Sequence, residues 1–436
     1  MKPAYDPTGK GFGRQTWSHP GFHTLAGMKT IIVLLAALFV SSFAFGQNAS
    51  GMYGIADSLY KAKEYKASAT SYRKGISMDW TKDVPDRSAS AAASWAMAGV
   101  PDSTFQLLKA VSASDRVSPF VARSIRDHKE FTSLHADKRW QPLVDQLVKK
   151  ATSNYPQEEI IYGRKDGTAL TMIRLNPKGN ANGKAVILVI AGSWRSSYGA
   201  LEAYTPHAYM YLAKGFSVFA VLVGSQPRFT MADQIVDIKR AVRYVRYHAA
   251  GWGIDGKKMG ITGSSAGGHL SLAVATADEK IDASAADPVD RVSSRVQAAA
   301  VLYPPTDMTN WDGKGLNWIN KFQQQRDARI FGAVDFKVWN DKTFTYDPVL
   351  DTLERNKIGK EVSPLYYVTP DDPPVFIVHG DADKVVPLVH SQSIIARLKE
   401  AGVPCRLVIK KGGKHDPTDM NPEYQEFADW FDKYLK

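Results

Sequence analysis

Residues 260–270 read "GITGSSAGGHL". A short apolar run enters this stretch and a helix-forming run leaves it. Gly263-Ser264-Ser265-Ala266-Gly267 is the pattern Gly-x-Ser-x-Gly, set where a predicted strand meets a predicted helix. A chain that turns from strand straight into helix forces strained angles on the central residue. It also brings the two elements so close that residues two positions away must be small. Gly263, Gly267 and Gly268 meet that demand. The expected result is a Ser265 hydroxyl held out of the sheet at a helix N-terminus. There the Ala266 N–H and the helix dipole favour developing negative charge.

A serine alone is a poor nucleophile; it needs a base, and the base needs an orienting carboxylate. "VHGDADKVVP" follows one late apolar strand and carries Asp381 and Asp383. "KKGGKHDP" follows the last and carries His415. Both loops lie at strand C-terminal ends, where ligands bind in open parallel sheets. Asp383 is assigned as the acid and His415 as the base. Asp381 is read as a loop brace, with exchange of the two aspartates left open. His379, at a strand end, and His269, one turn past Ser265, are read as structural.

Working outward, continuous apolar runs stand at Ala185–Gly192 and Phe216–Val223, "KMGITG" reads as a third strand, and Val296–Tyr303, Pro374–Gly380 and Cys405–Lys411 complete the set. Such runs suit strands covered on both faces. Helical periodicity fills 231–250 and 388–401 between them. "EEIIYG" and "TALTMIRL" read as an antiparallel pair across "RKDG". Alternating strand and helix predicts an α/β fold with a mostly parallel sheet over residues 157–436.

Residues 50–150 read differently. Ala56, Leu59, Tyr60, Tyr65, Ala69, Tyr72 and Ile76 sit at helical spacing, with a break near Lys63. The plan recurs after 36 residues, Ala56 matching Ala92 and Tyr72 matching Leu108 (92 − 56 = 108 − 72 = 36). The unit is similar to tetratricopeptide repeats. Two such units are fewer than usually stand alone, so this all-α region is expected to lean on the following domain or a protein partner.

Residues 28–46 carry Lys29, an apolar stretch and a small-x-small site at Ala44–Gly46, the pattern of a signal peptide. Met28 heads that signal, so residues 1–27 read as an upstream, non-native extension. The expected location is periplasmic or secreted, with no membrane span in the mature protein. Cys405 is the single cysteine, which excludes an intramolecular disulfide. The net charge of +11 comes with no run of five basic residues, which argues against nucleic acid. No metal-ligand spacing, Walker loop or dinucleotide fingerprint is present, so no metal and no cofactor are expected.

From about Glu158 to Leu435 the chain resembles the α/β-hydrolase superfamily, in the esterase branch that includes acetylxylan and feruloyl esterases and carboxylesterases. The likeness rests on "DIKRAVRYVRYHAAGWGIDGKKMGITGSSAGGHLSLAVAT", "VLYPPTDM" and "PPVFIVHGDADKVVPLVHSQSIIARLKEAGVPCRLVIKKGGKHD". The superfamily's chain order, serine then acid then histidine, fits Ser265, Asp383 and His415. The resemblance implies a serine esterase working through an acyl-enzyme, with acyl groups on plant polysaccharides as its substrate class. Such esterases usually carry His-Gly-Gly after the first parallel strand. Here Ile190-Ala191-Gly192-Ser193-Trp194 replaces the histidine and one glycine. Ser193 or Trp194 is expected to supply the second oxyanion N–H beside Ala266, without the bracing that the histidine gives. The Trp194 and Arg195 side chains are read either as pocket lining or as surface.

An insertion at 306–372 contains Trp311, Trp318, Phe322 and Trp339, which either stack on sugar or aryl rings or form the core of a small subdomain. Two other readings share the sequence: a prolyl oligopeptidase-type peptidase, and a non-catalytic binding protein on the same fold.

Overall fold

The computed structural model describes residues 49–79, 84–117, 119–154, 157–179, 181–279, 281–323, 325 and 329–436. The proposed extension and signal peptide lie outside the described residues.

Among the described residues, four helices come first: α1 (Ala49–Lys61), α2 (Tyr65–Met78), α3 (Pro85–Met97) and α4 (Pro101–Ala113). Their starts repeat at 85 − 49 = 36 and 101 − 65 = 36 residues, the period read from the sequence. Lys63, at φ 63°, makes the predicted break between α1 and α2. Proline at the first position of α3 and α4 suits a site whose N–H has no helical acceptor. α5 (Pro119–Asp127) and α6 (Trp140–Asn154) come next, and Phe105, Leu108, Val121, Ile125, Trp140 and Leu147 share one core with them. The Lys178 ammonium, ahead of β3, lies 3.8 Å from the Asp115 carboxylate of this helical region.

The sheet has eight strands: β1 (Gln157–Lys165), β2 (Thr168–Leu175), β3 (Ala185–Ile190), β4 (Ser217–Leu222), β5 (Met259–Ser264), β6 (Ala298–Leu302), β9 (Val375–Gly380) and β10 (Cys405–Lys410); β7 (Lys337–Asn340) and β8 (Thr345–Pro348) form a separate hairpin. The order is β1-β2-β4-β3-β5-β6-β9-β10. β1 and β2 pair antiparallel and join β4 antiparallel; every other neighbouring pair is parallel. The α/β-hydrolase architecture with a helical leader is thus present.

Side chains alternate between the two faces of a strand, and the central strands feed two cores accordingly. Ile187, Val189, Phe219, Val221 and Ile377 pack on one side. Val186, Leu188, Val218, Ala220 and Phe376 pack on the other. The first side is covered by α8 (Met231–His248), α9 (Ala266–Ala275) and α12 (Val389–Glu400), the second by α7 (Tyr198–Ala213) and α13 (Asn421–Tyr434). A capping box opens α8, the Thr230 hydroxyl and Asp233 each accepting from the other's backbone N–H.

The insertion divides in two. Trp311 stacks on Trp318 at 4.8 Å, and Trp318 packs edge-on against Phe322 at 5.0 Å. Trp318 is buried in the same core as Trp194, so these three aromatics are core rather than sugar platform. Beyond α10 (Trp318–Gln323), the β7–β8 hairpin stands out into solvent. Buried Arg355, on α11 (Thr352–Glu361), closes the hairpin's root by donating to the carbonyls of Ile319 (2.7 Å), Val349 (3.2 Å) and Val334 (3.3 Å).

Candidate active site

Ser265 caps α9 at φ 54° and ψ −122°, a conformation rare for a residue with a side chain. Its N–H donates to the Leu302 carbonyl at 3.0 Å, which anchors the bend to β6. The neighbouring glycines are forced. A Cβ on Gly263 would lie 2.6 Å from the Gly267 carbonyl, and one on Gly267 would lie 2.6 Å from the Val189 carbonyl oxygen.

His415 Nε2 lies 2.8 Å from Ser265 Oγ, and His415 Nδ1 lies 2.6 Å from Asp383 Oδ2. The carboxylate can only accept from Nδ1–H, so the neutral ring presents a lone pair at Nε2 to the serine hydroxyl. The three residues therefore form one hydrogen-bonded chain. Asp383 Oδ1 also accepts from the Val385 and Val386 N–H groups at 2.8 and 2.9 Å. Burial pushes the Asp383 carboxyl upward. Hydrogen bonds from His379, His415 and the Val386 N–H outweigh it and hold the group below the usual carboxylate range. The Tyr303 ring lies 4.3 Å from the His415 ring and limits its rotation.

The remaining acids and histidines fall into bracing positions. Asp381 Oδ1 accepts from the Gly412 N–H at 2.6 Å, tying the acid loop to the histidine loop. His379 is buried, with Nδ1 2.7 Å from Ser391 Oγ and Nε2 2.9 Å from the Val386 carbonyl and 3.4 Å from Asp383 Oδ2. It stands behind the acid, away from the serine hydroxyl.

After β3 the chain makes a two-residue turn. Gly192 and Arg195 exchange N–H···O bonds, both 2.9 Å, and Ser193 and Trp194 sit at φ 52° and 55°. This is the primed turn that normally asks for Gly or Asn. Among the described residues, the N–H groups of Ser193, Trp194 and Ala266 have no protein acceptor. The turn's carbonyls, in contrast, are all engaged. The Trp194 side chain is not at the surface: it is buried, and its Nε1 donates to His269 Nδ1 at 3.0 Å. His269 Nε2 in turn donates to the Val362 carbonyl at 2.6 Å. Burial pushes His269 down to about 4, so it stays neutral and keeps both bonds. Arg195 is exposed.

Sequence reading missed Gln226 and Gln234, whose amides bind the turn's carbonyls, and Tyr303. The only available signal for Gln226 was its place just beyond the C-terminal end of β4. Among the described residues, no cluster of His, Cys, Asp and Glu suits a metal ion, and no helix is long and apolar enough to cross a membrane.

Several known esterases are similar to this chain. Esterase LipQ of Mycobacterium tuberculosis is 27% identical over 54% of this chain and 50% of its own length. An acetylxylan esterase of Xylanibacter ruminicola is 22% identical over 54% of this chain and 41% of its own. The chain thus spans half or less of the length of these relatives. A truncated carbohydrate esterase from gut microbiota superposes with a TM-score of 0.51 at 23% identity, over 64% of this chain and 96% of that one, a likeness of fold. The BD-FAE family model matches residues 172–398, from β2 to α12, which is more than half of the chain and includes both Ser265 and Asp383. The chain belongs to the BD-FAE family of α/β-hydrolases.

Proposed function

We propose that this chain is an exported serine esterase that removes acyl groups, acetyl or feruloyl, from plant polysaccharides. The observation that carries the catalytic part is the hydrogen-bonded chain from Ser265 through His415 to Asp383 at a strained strand–helix bend.

Ser265 Oγ attacks the ester carbonyl carbon while its proton passes to His415 Nε2. Asp383 stabilises the imidazolium through Nδ1–H. The carbonyl oxygen becomes an oxyanion, held by the Ala266 N–H and by Ser193 or Trp194. Collapse breaks the bond to the alcohol, which leaves with the proton from Nε2. Water then attacks the acyl-serine with His415 again as base, and release of the acid restores Ser265.

Four observations support the finer reading. A protein named acetylxylan esterase aligns with 54% of this chain, and one titled carbohydrate esterase shares its fold. Trp339, Phe344 and Tyr346 form an exposed aromatic cluster on the hairpin, with Trp339 and Tyr346 paired across the strands at 5.0 Å. Exposed apolar patches of this kind mark binding sites, and flat aromatic faces suit sugar rings. The 28–46 segment supports export, and the helical region supports a tetratricopeptide-like unit that meets a protein partner.

Hydrolysis of p-nitrophenyl acetate by the purified protein, with Ser265→Ala as control, is the test. Turnover lost in the variant, by roughly 10⁴-fold or more, is expected. Equal turnover by both proteins, or cleavage of proline-containing peptides alone, overturns the reading.

A further inference from the structure

The turn that offers Ser193 and Trp194 N–H groups lacks the histidine that braces it in similar esterases, yet its geometry is fixed from outside. A peptide unit is planar and trans, so its C=O and N–H point in opposite directions. Whatever holds a carbonyl therefore aims the next residue's N–H. The Gly192 carbonyl accepts from the Arg195 N–H at 2.9 Å, which aims the Ser193 N–H. The Ser193 carbonyl accepts from Gln226 Nε2 at 3.0 Å, which aims the Trp194 N–H. The Trp194 carbonyl accepts from Gln234 Nε2 at 2.9 Å and from the Gln226 N–H at 3.2 Å, which aims the Arg195 N–H back into the turn.

Gln226 is the hub of this arrangement. Its side chain is buried, and the second hydrogen of Nε2 goes to the Arg329 carbonyl at 2.7 Å. Both amide hydrogens are thus committed to carbonyls on different segments, one in the oxyanion turn and one in the insertion. Only a side chain with two hydrogens on one terminal atom and this reach can make both bonds. Glutamate accepts where donation is needed, and asparagine is one methylene short. The contact beside it is equally tight: a Cβ on Gly332 would lie 2.4 Å from the Pro227 Cα.

We infer that Gln226 is a positioning residue for catalysis: its amide aims the Trp194 N–H at the developing oxyanion and fastens that turn to the root of the insertion. It touches neither substrate nor the reacting atoms and acts through the Ser193–Trp194 peptide. The inference rests on the esterase reading above.

The test compares wild type, Gln226→Met, which keeps the volume and loses both donors, and Ser265→Ala, in the full chain with p-nitrophenyl acetate. Removing an oxyanion donor outright costs about 10²–10³ in rate, so misaiming one is expected to cost about 10–100-fold in kcat with KM changed less than threefold. Affinity for a trifluoromethyl ketone, whose adduct carries the oxyanion, should fall in parallel with kcat/KM. Gln226→Met with kcat within twofold of wild type overturns the inference. So does a kcat loss with unchanged ketone affinity. Should Gln226→Met fail to fold, Gln226→Asn carries the same expectation and the same overturning result. Failure of the esterase reading itself is distinct: wild type would then turn over no faster than Ser265→Ala.

Discussion

Gly380 and Gly413 meet backbone to backbone: a Cβ placed on Gly380 would lie 2.0 Å from the Gly413 carbonyl oxygen. That carbonyl accepts from the Ala382 N–H at 3.0 Å. The loop bearing Asp383 is thereby laid directly on the loop bearing His415. Gly380→Ala is expected to push the loops apart, destabilising the fold by about 1–3 kcal/mol and lowering kcat at least tenfold. Urea melts and kinetics on the same preparation check both.

Asp383→Asn removes the carboxylate that fixes the His415 tautomer. An amide there can donate to Nδ1 and leave a hydrogen on Nε2, where a lone pair is required. kcat should fall roughly 10⁴-fold, with Ser265 still in place. The same exchange at Asp381, which accepts from the Gly412 N–H, should cost less than tenfold. Steady-state kinetics of the two variants decide between the aspartates.

Trp194→Phe keeps a ring but leaves His269 Nδ1 buried without its donor. An orphaned buried acceptor costs about 1–3 kcal/mol. Thermal unfolding should register that loss, and under the proposed mechanism kcat should fall with it, because the indole anchors the turn that carries the Trp194 N–H.

Burial pushes both His269 and His390 down to about 4, and each is almost wholly enclosed. In the unfolded chain such groups titrate near 6.5. Between these values the unfolded state binds more protons, so stability falls as pH drops from about 6.5 towards 4. The slope is up to about 1.4 kcal/mol per pH unit for each histidine. Asp383 acts elsewhere. Its lowered carboxyl contributes stability that is present above the unfolded value of about 3.9 and is lost only as pH falls further. Urea midpoints at pH 7, 5.5 and 4.5 test the window; His269→Gln should flatten the decline.

Trp339→Ala removes the centre of the exposed aromatic cluster without disturbing the core. Hydrolysis of p-nitrophenyl acetate should stay within twofold of wild type, while KM for acetylated xylan should rise severalfold. Equal KM for the polymer in both proteins would discard the hairpin as a sugar platform.

The strands were legible because doubly covered strands are apolar without interruption, and β3, β4 and β9 are buried at every position. Ser265 and Asp383 were legible because each follows such a strand; β10, ahead of His415, is a half-exposed edge strand, and His415 was read from its loop and from the chain order serine, acid, histidine. α7 was not, since its apolar residues lie all around the helix rather than along one stripe, and no period stands out in "YGALEAYTPHAYMYLA". The β7–β8 hairpin was hidden for the opposite reason: its strands are four residues long and wet on both faces, so no alternation arises. Gln226 and Gln234 could not be read because their partners are carbonyls, which every residue carries. Only the folded chain says which carbonyls they meet.

The Arg355 guanidinium gathers carbonyls from three separate segments, so the chain enters and leaves 337–348 through a closed collar. Outside that collar the tip is free to lengthen, shorten or change its decoration while the collar itself holds. Evolution can retune what such a molecule grips as a separate cartridge, leaving the reaction machinery in its sheet unaltered.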